Sequence, residues 1–208
     1  MKKIKRTRIA TTFIAIILLC RTSGWAQFKL NAFRVVALSE AVSLPTYKVV
    51  QLPIHPGVLI GVNFWQKAGK HWVNTLGTDL SYYYHDLYEH AFMIDAAYTL
   101  GYKFNFGLQT KMLTNIGYKQ SILTGDVFKF KNGEYERVYL AGKAQLNVKL
   151  GFGLEYPITE KWSIITDYKF MLAIPYSPKR GQPFATHSFF GLGIKINLVS
   201  SESKTVKQ

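Results

Sequence analysis

Cysteine is almost missing from this chain: Cys20 is the only one among 208 residues. It falls inside an N-terminal segment that reads as an export signal. The mature chain is therefore expected to hold no disulfide, no thiol nucleophile and no cysteine-ligated metal. Long apolar runs are lacking too. Past residue 27 nothing approaches the roughly 18 continuous apolar residues that a membrane-crossing helix requires, so a helical membrane protein is excluded. Clustered positive charge is scarce where it would count. The formal charge is +14, but six of the 26 basic residues and no acidic one lie in the first 21 positions, so without them the charge is +8. No Lys/Arg-rich run follows, which argues against a nucleic-acid interface. The phosphate-binding glycine loop, the Cys/His metal spacing and the GxSxG elbow are all absent, and no cofactor is expected. Charged residues make up only 18% and hydrophobic ones 48%, so the chain is not disordered.

The N-terminus has three parts. Lys2, Lys3, Lys5, Arg6 and Arg8 form a basic start, residues 9–20 an apolar core, and Gly24-Trp25-Ala26 a small-residue cleavage site before Gln27. The core is too short for a comfortable anchor, which needs about 20 residues. Leu19, directly before Cys20, is not the small residue a lipidation site needs. The expected division is 1–26 signal peptide, 27–198 one domain and 199–208 a disordered tail.

In the domain the recurring pattern has period 2, which marks a strand with two unlike faces. In 143–156 the even positions are Ala, Leu, Val, Leu, Phe, Leu and Tyr; the odd ones are Lys, Gln, Asn, Lys, Gly, Gly and Glu. Segments 104–118, 162–174 and 186–198 repeat the division, and 58–64, 72–84 and 92–102 repeat it more weakly. No even position of these seven segments carries Asp, Glu, Lys or Arg. A charge facing lipid at mid-bilayer costs roughly 2–4 kcal/mol, which accounts for the absence.

A soluble sandwich would turn the apolar face inward, and a membrane barrel turns it outward. Three features favour the barrel. Five of the segments run 13–15 residues, against the usual 5–6 of soluble strands. All glycines within the segments are odd, on the face a narrow lumen would crowd. Aromatic rings recur at segment ends (Phe64, Trp72, Tyr82, Tyr84, Tyr102, Phe104, Tyr118, Tyr156, Trp162) as interfacial girdles require. Short connections at 66–71, 103 and 157–161 alternate with longer ones at 84–91, 120–142 and 175–185. An even-stranded barrel needs one more strand upstream, placed at 28–38. Asn132-Gly133 marks a hairpin within the longest outer loop, at 126–139.

Together these features resemble the small outer-membrane β-barrel proteins of Gram-negative bacteria. In the final segment Gly193, Ile196 and Leu198 look like the closing-strand signal read by the barrel-assembly machinery, although Gly191 stands where a polar residue is usual and ten residues follow Leu198. The resemblance covers residues 28–198. It implies an all-β fold, an antiparallel up-and-down transmembrane β-barrel of about eight strands, set in outer-membrane lipid and lipopolysaccharide. The family spans porins, adhesins, assembly partners and lipid-modifying enzymes, so the resemblance chooses no activity.

The odd-face charges form two expected inward clusters: Asp79, Asp95 and Lys111, and then Lys149, Glu155, Asp167 and Lys169. They read either as a proton or ion path or as a satisfied polar plug. An eight-stranded barrel is nearly filled by its own side chains, which favours the plug. His187-Ser188 cannot form a hydrolytic dyad, because neighbours on a strand point to opposite faces. His85, Asp86, Glu89 and His90 share one outer loop with side-chain types that suit zinc; the reading adopted is a solvated acidic loop without metal. Pro53–Gly57 stiffens the start of a strand. The function expected is non-enzymatic: a plugged barrel whose outer loops, above all 120–142 and 175–185, bind a partner protein, lipopolysaccharide or an external ligand. The alternatives are a narrow passive channel and a lipid-modifying enzyme.

Overall fold

A computed structural model describes residues 29–42, 52–86, 88–125, 127–131, 133–138, 142–175 and 183–198; the expected signal peptide and C-terminal tail lie outside them. The described residues form ten strands and no helix: β1 (Ala32–Ala41), β2 (His55–Ala68), β3 (Trp72–Tyr84), β4 (Glu89–Lys103), β5 (Gln109–Leu123), β6 (Val127–Lys131), β7 (Glu134–Val138), β8 (Lys143–Pro157), β9 (Trp162–Ile174) and β10 (Ala185–Asn197). Eight of them close a barrel in the order β1-β10-β9-β8-β5-β4-β3-β2, every neighbour antiparallel. β6 and β7 pair only with each other, as a two-stranded ribbon in the connection from β5 to β8. At its tip Gly133 takes a φ of 91°.

The alternation read in the sequence becomes an outside and an inside. Apolar side chains stand open on the outer face: Leu80 is 54% exposed, Ile116 53%, Leu150 53% and Leu192 58%. The charged residues of the same strands are buried, Asp79 at 0% and Asp95 at 1%. This inverts the distribution of a water-soluble sandwich. Fifteen residues, as in β8, reach about 50 Å at roughly 3.3 Å each, and a tilt of about 40° leaves a rise near 38 Å. That exceeds the apolar band of about 25 Å, so strand ends project beyond it. Rings gather at both ends: Trp72 and Tyr102 meet edge-on at 5.1 Å near the short turns, and Tyr82 and Phe92 lie 4.7 Å apart near the long loops.

The lumen is not purely polar. Val36, Leu38, Leu59, Tyr83, Met93, Ile165, Met171 and Phe189 form a buried cluster within it. Two glycines let charges meet across a strand. Arg34, Gly61 and Asp79 are register partners on β1, β2 and β3. A Cβ on Gly61 would press against both charged side chains, and one on Gly117 against Asp95.

The structure corrects several boundaries. β4 runs through Lys103, and the turn occupies 104–108, where Phe104 N donates to Leu108 O at 2.8 Å and Gly107 takes a φ of 97°. The apolar alternation of Phe104, Phe106 and Leu108 runs on through this turn and disguises it. The first strand is Ala32–Ala41 rather than 28–38, and its even positions face inward. β4 begins at Glu89 and β5 ends at Leu123, so both outer connections are shorter than expected. A bulge at Asn63/Trp65 shifts the register of β2 against β3.

Candidate functional site

The lumen holds the chemistry, in three tiers. Nearest the short turns, Glu155 is gripped by Lys111 and Lys195; the Lys195 Nζ lies 2.9 and 3.2 Å from its two oxygens. A cavity of about 670 Å³ opens at this mouth, and Glu155 and Lys195 line its inner end. In the middle tier Arg34 Nη2 donates to Asp79 Oδ1 at 2.5 Å and Asn115 Nδ2 to Asp79 Oδ2 at 2.9 Å. Lys169 Nζ lies 3.6 Å from Asp79 and 3.7 Å from Asp167. Lys149 donates to Asp95 Oδ2 at 2.6 Å.

The third tier lies under the long loops. Glu89 accepts hydrogen bonds from Tyr83, Lys119 and Ser121. His187 Nδ1 lies 2.7 Å from Glu40 Oε1, and its Nε2 lies 3.3 Å from Lys119 Nζ. Above them the rings of His55 and His85 stack, centroids 3.6 Å apart. Burial and then the neighbouring His55 hold the His85 imidazole below the usual histidine range, so it is neutral near pH 7.

Among the described residues the buried ionisable side chains include six basic ones (Arg34, Lys111, Lys119, Lys149, Lys169, Lys195) and six acidic ones (Glu40, Asp79, Glu89, Asp95, Glu155, Asp167); five of the acids meet a Lys or Arg, whereas Glu40 meets His187 and His55. Each of the six basic groups lies against a carboxylate, which satisfies the requirement that a buried charge be paired.

All seven residues expected in the inward clusters are buried, but in other groupings. Asp79 and Asp95 are register partners. Lys111 goes to Glu155 rather than Asp95, and Lys149 goes to Asp95 rather than joining Asp167. Asp95, Gly117 and Asn147 share one row of the barrel. The missing side chain at Gly117 clears the way for Lys149 to reach Asp95 from β8. Lys111 sits between Gly101 and Gly153 and reaches diagonally to Glu155.

The four residues grouped on one loop separate. His85 and Asp86 are in the connection, whereas Glu89 and His90 open β4 on opposite faces. Glu89 is 3% exposed and fully engaged, not solvated. His90 Nδ1 lies 3.5 Å from the Tyr82 hydroxyl on the outer side. His187 and Ser188 also part: Ser188 Oγ accepts from the Tyr168 hydroxyl at 3.3 Å, away from the lumen. The sequence reading missed Arg34, Glu40, His55, Lys119 and Lys195 as members of the network. Each continues the period-2 inward row of its own strand, which is the signal that would have found them.

A closed eight-stranded antiparallel barrel with a paired polar lumen and an apolar outer face defines the small outer-membrane barrel class of fold. Among solved structures, the chain is similar to Neisserial surface protein A, with a TM-score of 0.51 and 7% identity over 80% of this chain and 95% of that one. Two further similar structures are the N-terminal barrel domain of Pseudomonas aeruginosa OprF (TM-score 0.42, 13% identity, 81% and 98% covered) and Ail, the attachment invasion locus protein of Yersinia pestis (0.46, 9%, 81% and 98%). At these identities the likeness is one of fold. No family model matches the chain, and no curated protein matches it.

Proposed function

We propose that the chain is a non-enzymatic outer-membrane barrel, sealed to solutes, that acts through its outer loops on a partner protein, lipopolysaccharide or another external ligand. One observation carries this reading: the charge-paired lumen, whose six basic side chains are each tied to a carboxylate in three successive tiers. A solute would have to break these buried pairs, and leaving one buried charge unpaired costs about 3–5 kcal/mol. With the bore closed, the parts left to meet the outside are the loops. The β6–β7 ribbon extends the longest of them and carries an open aromatic pair, Phe130 (66% exposed) and Tyr135 (75%), with ring centroids 5.1 Å apart. Exposed aromatics of this kind anchor interfaces. Gly193, Ile196 and Leu198, at the end of β10, engage the barrel-assembly machinery during insertion.

Planar-bilayer recording tests the seal. The expected trace is flat apart from brief flickers, and steady ohmic current would overturn the reading. Co-purification from native membrane tests the loops. Protein lacking the β6–β7 ribbon is expected to insert normally and to lose the species that travels with the full chain; an unchanged retinue would count against the ribbon as the contact.

A further inference from the structure

We propose that Glu40, His55 and His85, with Asp86 at the rim, form a binding site for one divalent first-row transition-metal ion of the Zn²⁺ type at the long-loop mouth of the barrel. The inference goes beyond the sealed-barrel reading and stands independently of what the loops contact.

The three inner residues come from three places in the chain: the end of β1, the start of β2 and the β3–β4 connection. They offer one ligand atom each, all within 4.8 Å of one another. Asp86 Oδ1 lies 3.7 Å from His55 Nε2 and 3.7 Å from His85 Nδ1. In a tetrahedral site with bonds of about 2.0–2.2 Å, ligand atoms stand about 3.4 Å apart, so holding an ion requires the cluster to draw in and the stacked His55 and His85 rings to turn toward it.

Two further observations point to a cation. Glu40 Oε2 and His85 Nδ1 are buried and have no hydrogen-bond partner among the described residues. Glu40 is 0% exposed and His85 7%. Both atoms lack a partner within one small cluster, and a metal ion held by the Glu40 carboxylate and the His85 imidazole would satisfy both at once. The supporting contacts also have the form that orients metal ligands. His55 Nδ1 lies 3.2 Å from the Glu40 carbonyl oxygen, which can only accept. The proton therefore sits on Nδ1 and the lone pair on Nε2, the atom that faces Asp86. Glu40 is held by its other oxygen, Oε1, against His187.

Neighbouring groups are excluded by their own bonds. Glu89 is occupied by Tyr83, Lys119 and Ser121, and His187 by Glu40 and Lys119. Two imidazoles with two carboxylates suit Zn²⁺ and its transition-metal neighbours, whereas Ca²⁺ and Mg²⁺ prefer oxygen throughout.

The test uses the full folded barrel in detergent, without a polyhistidine tag, titrated with Zn²⁺ by calorimetry and with Co²⁺ by visible absorbance. The expected result is one Zn²⁺ per chain, visible Co²⁺ bands of a tetrahedral site, and no competition from equimolar Mg²⁺ or Ca²⁺. His85→Ala and His55→Ala are each expected to weaken binding by at least about tenfold. His90→Ala, on the outer face of β4, is expected to leave it unchanged. His85→Ala decides the matter should His55→Ala fail to fold, because the backbone bonds of His85 to Glu89 and Thr124 survive it. Absence of stoichiometric Zn²⁺ binding, equal affinity in His85→Ala, or loss of binding in His90→Ala would each overturn the proposal.

Discussion

Lys149 and Asp95 show what a single residue contributes here. Both are buried, the pair spans β8 and β4, and Lys149 also rests 5.7 Å from the Phe189 ring centroid. Removing one partner leaves the other charge stranded where water does not reach, which costs about 3–5 kcal/mol. Lys149→Met is therefore expected to lower unfolding stability by that amount in denaturant titration of the folded barrel. Lys149→Met combined with Asp95→Leu is expected to recover most of the loss, since an apolar pair of similar volume carries no such penalty. A double variant as unstable as either single would show that the ion pair itself, rather than the avoidance of an orphan charge, holds this tier together, and one as unstable as the sum of the two singles would show that the two side chains are not coupled.

At the scale of the strand, the face that residues occupy was legible and their partners were not. The alternation over 143–156 coincides with β8, because Lys, Gln, Asn and Glu on one row must meet the lumen while Leu, Val and Phe on the other meet hydrocarbon. The same rule places Asp79, Asp95 and Asp167 inside. Which cation each one meets depends on the stagger of strands around the closed barrel, and on gaps such as Gly117, neither of which is a property of one strand. Lys149 reaches Asp95 for that reason. β1 was read least well: it is ten residues long, its inward row mixes Ala, Val and Leu with Arg34 and Glu40, and its outward row includes Ser39. The polarity contrast that marks the other strands is therefore faint, and with Glu40 overlooked the histidine cluster above it could not be assembled. The face assignment predicts opposite outcomes for neighbouring positions. Leu150→Arg, at 53% exposure on the outer row of β8, is expected to lose roughly 2–4 kcal/mol in lipid bilayers. In folded protein held in detergent, where the belt can yield around the charge, the loss is expected to be smaller. Equal losses in both settings would argue against a lipid-facing Leu150.

For the whole molecule, an apolar exterior and a charge-paired interior make a single demand: the barrel must be surrounded by hydrocarbon to be stable, and the ions within must be shielded from it. A two-sheet sandwich built from the same strands would make the reverse demand. Because Cys20 is the sole cysteine and lies outside the described strands, nitroxide labels can be placed one at a time on a Cys20→Ser background. The decisive measurement is electron paramagnetic resonance along β8 in lipid vesicles, labelling positions 145, 146, 147, 148, 150, 152 and 154 one at a time. Contact with oxygen dissolved in the bilayer should be high at Leu146, Val148, Leu150, Phe152 and Leu154 and low at Gln145 and Asn147. Labels at the even positions shielded from oxygen and immobilised, with the odd positions open to water-soluble relaxants, would contradict the account.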